Sequence, residues 1–232
     1  MIEVMIPARG NSKGIKNKNI VKINKKELIC YTINFSKKLK SVSKVIVSTD
    51  AQRILKIAKK NGAHVPFIRP AKFAKDYSSD LDVFTHYINW LKKKKLSIPE
   101  LIIHLRPTTP FRSLDIVNKA IKIMIKNKRI SCLRSMKKSD FSPYKMWRIN
   151  QTGKAIPVIK SKKELHSQAR QKAPLTYNHI GFVDILRVKK TILKKTMTGD
   201  FVYPFIIEEK NLKKYVDIDN YNDLYKARNL NK

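Results

Sequence analysis

A chain of 232 residues has room for one sizeable α/β core before it would divide into separate domains. Hydrophobic residues at 42%, charged residues at 29% and only two cysteines exclude collagen-like, wholly disordered and disulfide-framework classes. The unusual quantity is charge: 51 Lys and Arg against 17 Asp and Glu give +34, the footprint of a nucleic-acid or anionic-surface binder, or of an enzyme acting on polyphosphates.

Short apolar runs alternate with longer amphipathic ones, the pattern of a mostly parallel sheet flanked by helices. Residues Ile2 to Ala8 read as a buried first strand, and apolar spacing over 27–39 predicts a helix. Next come a strand at Lys44 to Thr49 and a helix over 51–61 that Asp50 caps and Asn61-Gly62 closes. The alternation continues with a strand at His64 to Ile68, a helix at Leu81 to Lys93, a strand at Leu101 to Leu105, and a helix at Leu114 to Lys126. After a strand at Ser131 to Ser135 the rhythm breaks, and residues 138–178, with Pro143, Gly153, Pro157 and Pro174, read as an insertion or a dimerisation arm. A strand at Phe182 to Leu186, a short helix over 189–195, a strand at Phe201 to Ile207 and a helix from Tyr221 complete the chain. The expected fold is a Rossmann-like, doubly wound, mostly parallel α/β sheet in one domain spanning 1–232, without internal repeats.

The charge excess is mostly Lys, since 11 of the 51 cations are Arg, and its runs, such as Lys92 to Lys95, are dispersed. Arg is the better reader of phosphates and base edges, so most of the Lys reads as solvated faces, with a polyanion patch as the competing reading. Cys30 and Cys132 lie too far apart for zinc-ligand spacing. No apolar run approaches the ~20 residues that span a bilayer, and no signal-peptide core is complete before Pro7. A cytoplasmic protein with neither membrane nor nucleic-acid partner is expected.

The glycines are few, six in all, and two flank the loop Pro7-Ala-Arg-Gly-Asn-Ser-Lys-Gly14 that follows the first strand and leads to Lys16, Lys18 and Asn19. A loop at the carboxyl end of a first parallel strand is where doubly wound sheets bind ligands, and amides with Arg and Lys suit a triphosphate. The loop lacks both the Gly-Lys-Ser/Thr ending of a Walker A motif and the Gly-x-Gly-x-x-Gly dinucleotide fingerprint. Spacing alone leaves a basic surface loop as an equal reading. His86 and His104 lie in apolar runs and read as core, as do Phe84, Tyr87 and Trp90; Tyr144 and Trp147 fall in the arm. His179 is divided between core and substrate contact, and Asp184 between structure and a substrate hydroxyl.

Ile6 to Ile15 followed by Lys18-Asn19 resembles the nucleotide-binding signature of the acylneuraminate cytidylyltransferases. The resemblance covers essentially the whole chain: Ile46-Val-Ser-Thr-Asp50, Arg69-Pro-Ala71 with Asp76, Leu105-Arg-Pro-Thr-Thr-Pro-Phe-Arg112, Arg170-Gln171 with Pro174, and Val216-Asp-Ile-Asp219 follow in the family's order. It implies a homodimer whose projecting arm is 138–178, and transfer of CMP from CTP to a nine-carbon α-keto acid sugar, releasing pyrophosphate with Mg²⁺. By the same resemblance Arg9, Lys13 and Lys18 contact the triphosphate, Ser12 and Asn19 support the loop, and Arg69 faces the nucleotide. Lys18, Asp217 and Asp219 carry the catalytic roles. The two carboxylates, two apart on a strand, face one side and can share a cation; a charge at the N-terminus of the last helix is the plainer reading of the pair. Arg106, Arg170 and Gln171 reach the sugar. Two positions depart from the family: Arg106 stands where Gln is common, and Ile180 where Asn precedes the glycine. The departures leave open a legionaminic- or pseudaminic-type acid or a sugar-1-phosphate as acceptor. The remaining alternative, a non-catalytic polyanion-binding protein, leaves the Asp pair without a task.

Overall fold

The computed structural model describes residues 1–230. In chain order the strands and helices are β1 Ile2–Pro7, β2 Lys22–Ile23, β3 Lys26–Glu27, α1 Leu28–Ser36, β4 Lys44–Ser48, α2 Gln52–Lys60, α3 Asp80–Lys93, β5 Leu101–His104 and α4 Leu114–Lys126. They continue with β6 Cys132–Lys138, β7 Trp147–Ile149, β8 Ala155–Pro157, β9 Tyr177–Arg187, β10 Val202–Ile206 and α5 Tyr221–Leu230. Six strands form one sheet in the order β10-β6-β9-β5-β1-β4. β1 runs parallel to β4 and β5, and β10 parallel to β6, while β9 runs antiparallel to both β5 and β6.

Alternation along the central strands assigns each face its helices. Val4, Ile6, Val47 and Ile103 join Ile29, Ile33, Ile54 and Val117 in one buried cluster. Met5, Ile46 and Ile102 point the other way, onto Phe84, Tyr87, Ile88 and Leu91 of α3. Both faces of the sheet are thereby covered, as near-continuous apolar strands require. A third cluster, including Ile15, Ile23, Leu28, Ile218 and Leu224, fastens α5 and the β2–β3 hairpin to the region beside the first loop.

α4 has the expected limits, and α3 starts one residue earlier than expected, behind a Ser79/Asp82 capping box. The helix expected over 27–39 is shorter, Leu28–Ser36. The expected strand at His64 to Ile68 is only two isolated bridges, Ile46 with His64 and Thr49 with Ile68. Pro66 lies between them and has no amide to donate to a ladder. Residues 189–195 form two 3₁₀ turns, Val188–Lys190 and Ile192–Lys194, not an α-helix. Asp50 does not cap α2: the N-cap is Ala51, and the Asp50 carboxylate instead accepts from the Gly10 amide at 2.9 Å.

The antiparallel β9 places the arm. Lys138 at the end of β6 pairs with Tyr177 at the start of β9, so residues 139–176 form one long excursion at the end of a hairpin. They carry the small β7–β8 hairpin and two 3₁₀ turns, and expose Phe141, Ile149 and Leu175. This excursion leaves from the carboxyl end of β6, the sheet edge where the loops after β1, β4 and β5 also emerge. Among the described residues no helix is long and apolar enough to cross a membrane.

Candidate functional site

A cleft of about 280 Å³ opens at that edge of the sheet. The loop after β1 supplies Arg9, Ser12, Lys18 and Asn19; the segment before α3 supplies Arg69 and Asp76; α3 supplies Asp80; and the end of β5 supplies His104, Arg106 and Thr108. Ligands of open α/β sheets bind in this place because parallel strands end together there and their loops diverge.

The first loop is shaped by local constraints. Gly14 lies so close to the Asp219 carbonyl that a Cβ would sit 2.2 Å from that oxygen, so only glycine fits. Asn17 adopts the left-handed region, φ 54°, which Asn tolerates better than most residues, and the chain then enters the 3₁₀ turn Lys18–Ile20. The Lys18 ammonium is thereby brought 2.8 Å from Asp219 Oδ1. Asn19 is buried, and its side-chain amide donates to the Arg9 carbonyl at 2.8 Å, tying the two ends of the loop. Arg9 and Lys13 each lie 2.9 Å from Asp76, whose carboxyl the Lys13 hydrogen bond holds below the usual range.

Arg69 is 4% exposed, and its nearest carboxylate oxygen, on Asp50, is 3.7 Å away. Its Nε and one terminal nitrogen have no hydrogen-bond partner. Arg106 lies between two carboxylates, with Asp184 at 3.2 Å and Asp80 at 3.3 Å. His104 is wholly buried against Phe84, and burial followed by the Arg106 charge lowers its pKa to about 4; it is a neutral core histidine, as the apolar run suggests.

Residues 216–219 belong to no strand, and Asp219 opens a bend, where the sequence pattern predicts a strand. Their backbone anchor is Ile218 N–H donating to the Thr108 carbonyl at 2.9 Å. Alternation still holds without a ladder: Val216 and Ile218 are buried, and Asp217 and Asp219 face away from them. Asp219 meets Lys18, while Asp217 approaches the β9 backbone at Gly181. There β9 bulges, and its pairing with β6 jumps from Arg134–Asp184 to Met136–His179. Such irregularities recur beside functional sites, where they re-aim side chains. A Cβ on Gly181 would lie 3.0 Å from both Asp217 Oδ2 and Thr109 Oγ1. Gly181→Ala should therefore displace Asp217 and Thr109 and lower kcat/KM by about tenfold or more, with little loss of melting temperature; steady-state kinetics beside a thermal melt checks this.

Half of the ten buried side-chain polar atoms without partners among the described residues belong to residues at or beside the cleft. Thr109 Oγ1, Asp217 Oδ1, His104 Nδ1 and the two Arg69 nitrogens are all so placed among the described residues. An unpaired buried polar atom costs about 1–3 kcal/mol, so a cluster of them marks a place built for a missing polar partner. No group of three or more His, Cys, Asp or Glu among the described residues can hold a metal alone. The free Asp217 oxygen, with Asp219 nearby in sequence, fits a hard cation that takes its other oxygens from phosphate.

Of the residues expected at the site, Arg9, Ser12, Lys18, Asn19, Arg69 and Arg106 line the cleft; Lys13 stands at its rim on Asp76, and Asp219 joins it through Lys18. Arg170 and Gln171 do not line it: they border a separate hollow with Lys138, Asp140 and Ser142 at the base of the arm. The sequence reading did not single out Asp80, Thr109 or Arg112 for the site. Arg112 was visible at the end of the Leu105 to Arg112 motif, but its buried hydrogen bonds were not. His179 and Asp184 prove to be partners, Nε2 lying 2.8 Å from Asp184 Oδ1.

The chain matches the family model described as "Cytidylyltransferase" over residues 3–229. A protein of Campylobacter coli named post-translational flagellin modification protein B is 31% identical over 204 residues, 88% of this chain and 85% of that protein. The CMP-N,N'-diacetyllegionaminic acid synthase of Campylobacter jejuni is 46% identical over 85 residues, a match spanning only 36% of either protein. Among solved structures, a CMP:2-keto-3-deoxy-manno-octonic acid synthetase complexed with CTP aligns with a TM-score of 0.68 at 15% identity, covering 99% of this chain and 97% of that one.

Proposed function

The chain belongs to the cytidylyltransferase family, and on that premise we propose that it transfers CMP from CTP to a nonulosonic, sialic-acid-like sugar and releases pyrophosphate. The observation that carries this reading is the cleft itself: Arg9, Lys18, Arg69 and Arg106 converge beside buried polar atoms that lack partners. Arg9 and Lys13 exchange Asp76 for the β- and γ-phosphates, and Ser12 and Asn19 hold the loop around them. Arg69 donates its free N–H groups to the nucleotide. Lys18, steadied by Asp219, follows the charge that grows as the α-phosphorus bond breaks.

The sugar hydroxyl oxygen bonds to the α-phosphorus, the bond from that phosphorus to the bridging oxygen breaks, and pyrophosphate leaves with the electron pair. The hydroxyl proton passes to Asp217 or to a water beside it. Asp217 and Asp219 are the residues that would hold Mg²⁺, which would supply further neutralisation of negative charge. Two chains form a homodimer in which the exposed apolar residues of the 138–178 arm are covered. The arm then carries Arg170 and Gln171 toward the sugar of a partner's cleft, a reading supported by their bordering a separate hollow and not the cleft of their own chain. CTP places the activity in the cytoplasm, where the nucleotide is made.

A pyrophosphate-release screen tests the reading by crossing CTP, GTP, UTP and ATP with sialic, legionaminic and pseudaminic acids and with sugar-1-phosphates, each with Mg²⁺ or a chelator. Release with CTP, a nonulosonic acid and Mg²⁺ is the expected result. Release confined to sugar-1-phosphates overturns the acceptor class, and release without CTP overturns the nucleotide.

A further inference from the structure

The Arg106 guanidinium looks like a receptor for the carboxylate of an acidic sugar, but its surroundings argue otherwise. One terminal nitrogen donates to Asp184 Oδ2 at 3.2 Å and the other to Asp80 Oδ2 at 3.3 Å. Asp184 is 3% exposed. Burial opposes its charge, but the His179 hydrogen bond and Arg106 outweigh burial, so its pKa lies below the ordinary carboxylate value. His179 is fixed in turn: Arg134 reaches its Nδ1 at 3.4 Å, which leaves the Nε2 proton to Asp184. Asp80, half-exposed, is the first residue of α3 and is set by the Ser79/Asp82 box.

Arg106, Asp80 and Asp184 together carry a net charge of −1, and Asp217 adds a further carboxylate nearby. Carboxylate recognition by Arg is strongest where the guanidinium offers two parallel N–H donors as a fork. Here both terminal nitrogens are committed, and a second anion would meet two carboxylates. A neutral group is different. The remaining guanidinium N–H bonds can donate to a carbonyl or hydroxyl oxygen, and the exposed oxygen of Asp80 can accept an O–H or N–H from the same substituent.

We propose that Arg106 is a charge-compensated specificity residue that reads a neutral hydrogen-bonding substituent of the sugar, an amide or hydroxyl group, and not its carboxylate. Asp80 and Asp184 act as positioning residues for it. The assignment rests on the acidic-sugar reading above and sharpens it, since the carboxylate must then be bound elsewhere.

The test compares an active nonulosonic acid with its methyl ester, which keeps every neutral substituent and removes the charge. Arg106→Gln should lower kcat/KM for acid and ester alike, by about tenfold each, so that the acid-to-ester ratio stays within about twofold of the parent. Asp80→Asn, which unmasks part of the guanidinium charge, should shift the ratio toward the acid by severalfold. A tenfold or greater collapse of the ratio in Arg106→Gln would show Arg106 to be the carboxylate receptor and overturn the proposal. Should Arg106→Gln fail to fold, Asp80→Asn at its half-exposed position decides alone, an unchanged ratio counting against the proposal. CTP binding is titrated separately for each variant. Normal CTP binding with no turnover of any acidic sugar removes the acceptor reading and this assignment with it, whereas turnover with a collapsed ratio removes only the assignment.

Discussion

Asp217→Asn should lower the rate of pyrophosphate release by about 10²–10³-fold while leaving the fold in place. Asparagine keeps the shape of the side chain, so the packing against Gly181 is unchanged, and the loss is one of charge. On the reading proposed above the lost charge is the functional part, and that reading is supported by Asp217 Oδ1, which is buried and takes no hydrogen bond from the protein. In that reading the carboxylate beside Arg106 and Arg112 takes the cation or the transferred proton, and an amide can serve neither. Steady-state kinetics with thermal melting and CTP titration checks the prediction. Lys18→Ala should fall comparably, since the ammonium is held at 2.8 Å from Asp219 and aimed into the cleft. Near-parental rates in both variants would place the chemistry outside this cleft.

The sequence carries the parts of this structure that local pattern controls. The apolar run of β1, the 3.6-residue spacing of α4 and the glycine-flanked loop between β1 and Lys18 are short-range signals, and the structure follows them. What local pattern leaves out is direction and partner choice. Residues 182–186 read as a strand, but nothing within them says that the strand runs antiparallel; the return of the arm from Lys138 to Tyr177 decides that. Asp50 has the residue type and position of an N-cap, but a tertiary donor, the Gly10 amide, competes for its carboxylate and wins. At Asp217 and Asp219 the alternation with buried Val216 and Ile218 persists although no ladder forms, but the two carboxylates meet different neighbours, Lys18 for Asp219 and the β9 backbone at Gly181 for Asp217.

The charge of +34 also reads differently once the acids are placed. Asp50, Asp76, Asp80, Asp184, Asp217 and Asp219 all lie at or beside the cleft, from a total of 17 acidic residues in the chain. Each of the first four, and Asp219, contacts a cleft or rim cation from a distant part of the chain. The cleft is therefore less positive than the surface around it. Its cations are individually positioned and partly compensated, whereas the Lys-rich exterior supplies a diffuse field that screens beyond ~10 Å in 0.1 M salt. On the reading proposed above specific recognition falls to the first group, and the second hastens the arrival of an anion.

Arg112 joins the pieces that make this cleft, and Arg112→Met should cost about 3–5 kcal/mol of stability. Its guanidinium donates to the Phe182 carbonyl at 2.6 Å, to Gly181 at 3.2 Å, to Arg106 at 2.8 Å, to the Thr109 carbonyl and to Thr32 Oγ1 at 3.2 Å. These acceptors belong to the loop after β5, the bulge of β9 and helix α1, none of which shares a backbone ladder with the other two at this point. Methionine fills similar volume but donates nothing, leaving several enclosed carbonyls without a partner and removing one of the two cations beside Asp217. In a chain of this size such a loss corresponds to a fall of roughly 6–20 °C in melting temperature. Arg112→Lys should recover only part of it, because one ammonium cannot span the fork of acceptors that a planar guanidinium reaches. Thermal and urea unfolding of the two variants measures both effects, and a loss under about 1 kcal/mol in Arg112→Met would mean that the loop and the bulge hold each other without it. Any activity lost beyond the unfolded fraction would then report on Gly181 and Arg106, whose carbonyls Arg112 holds.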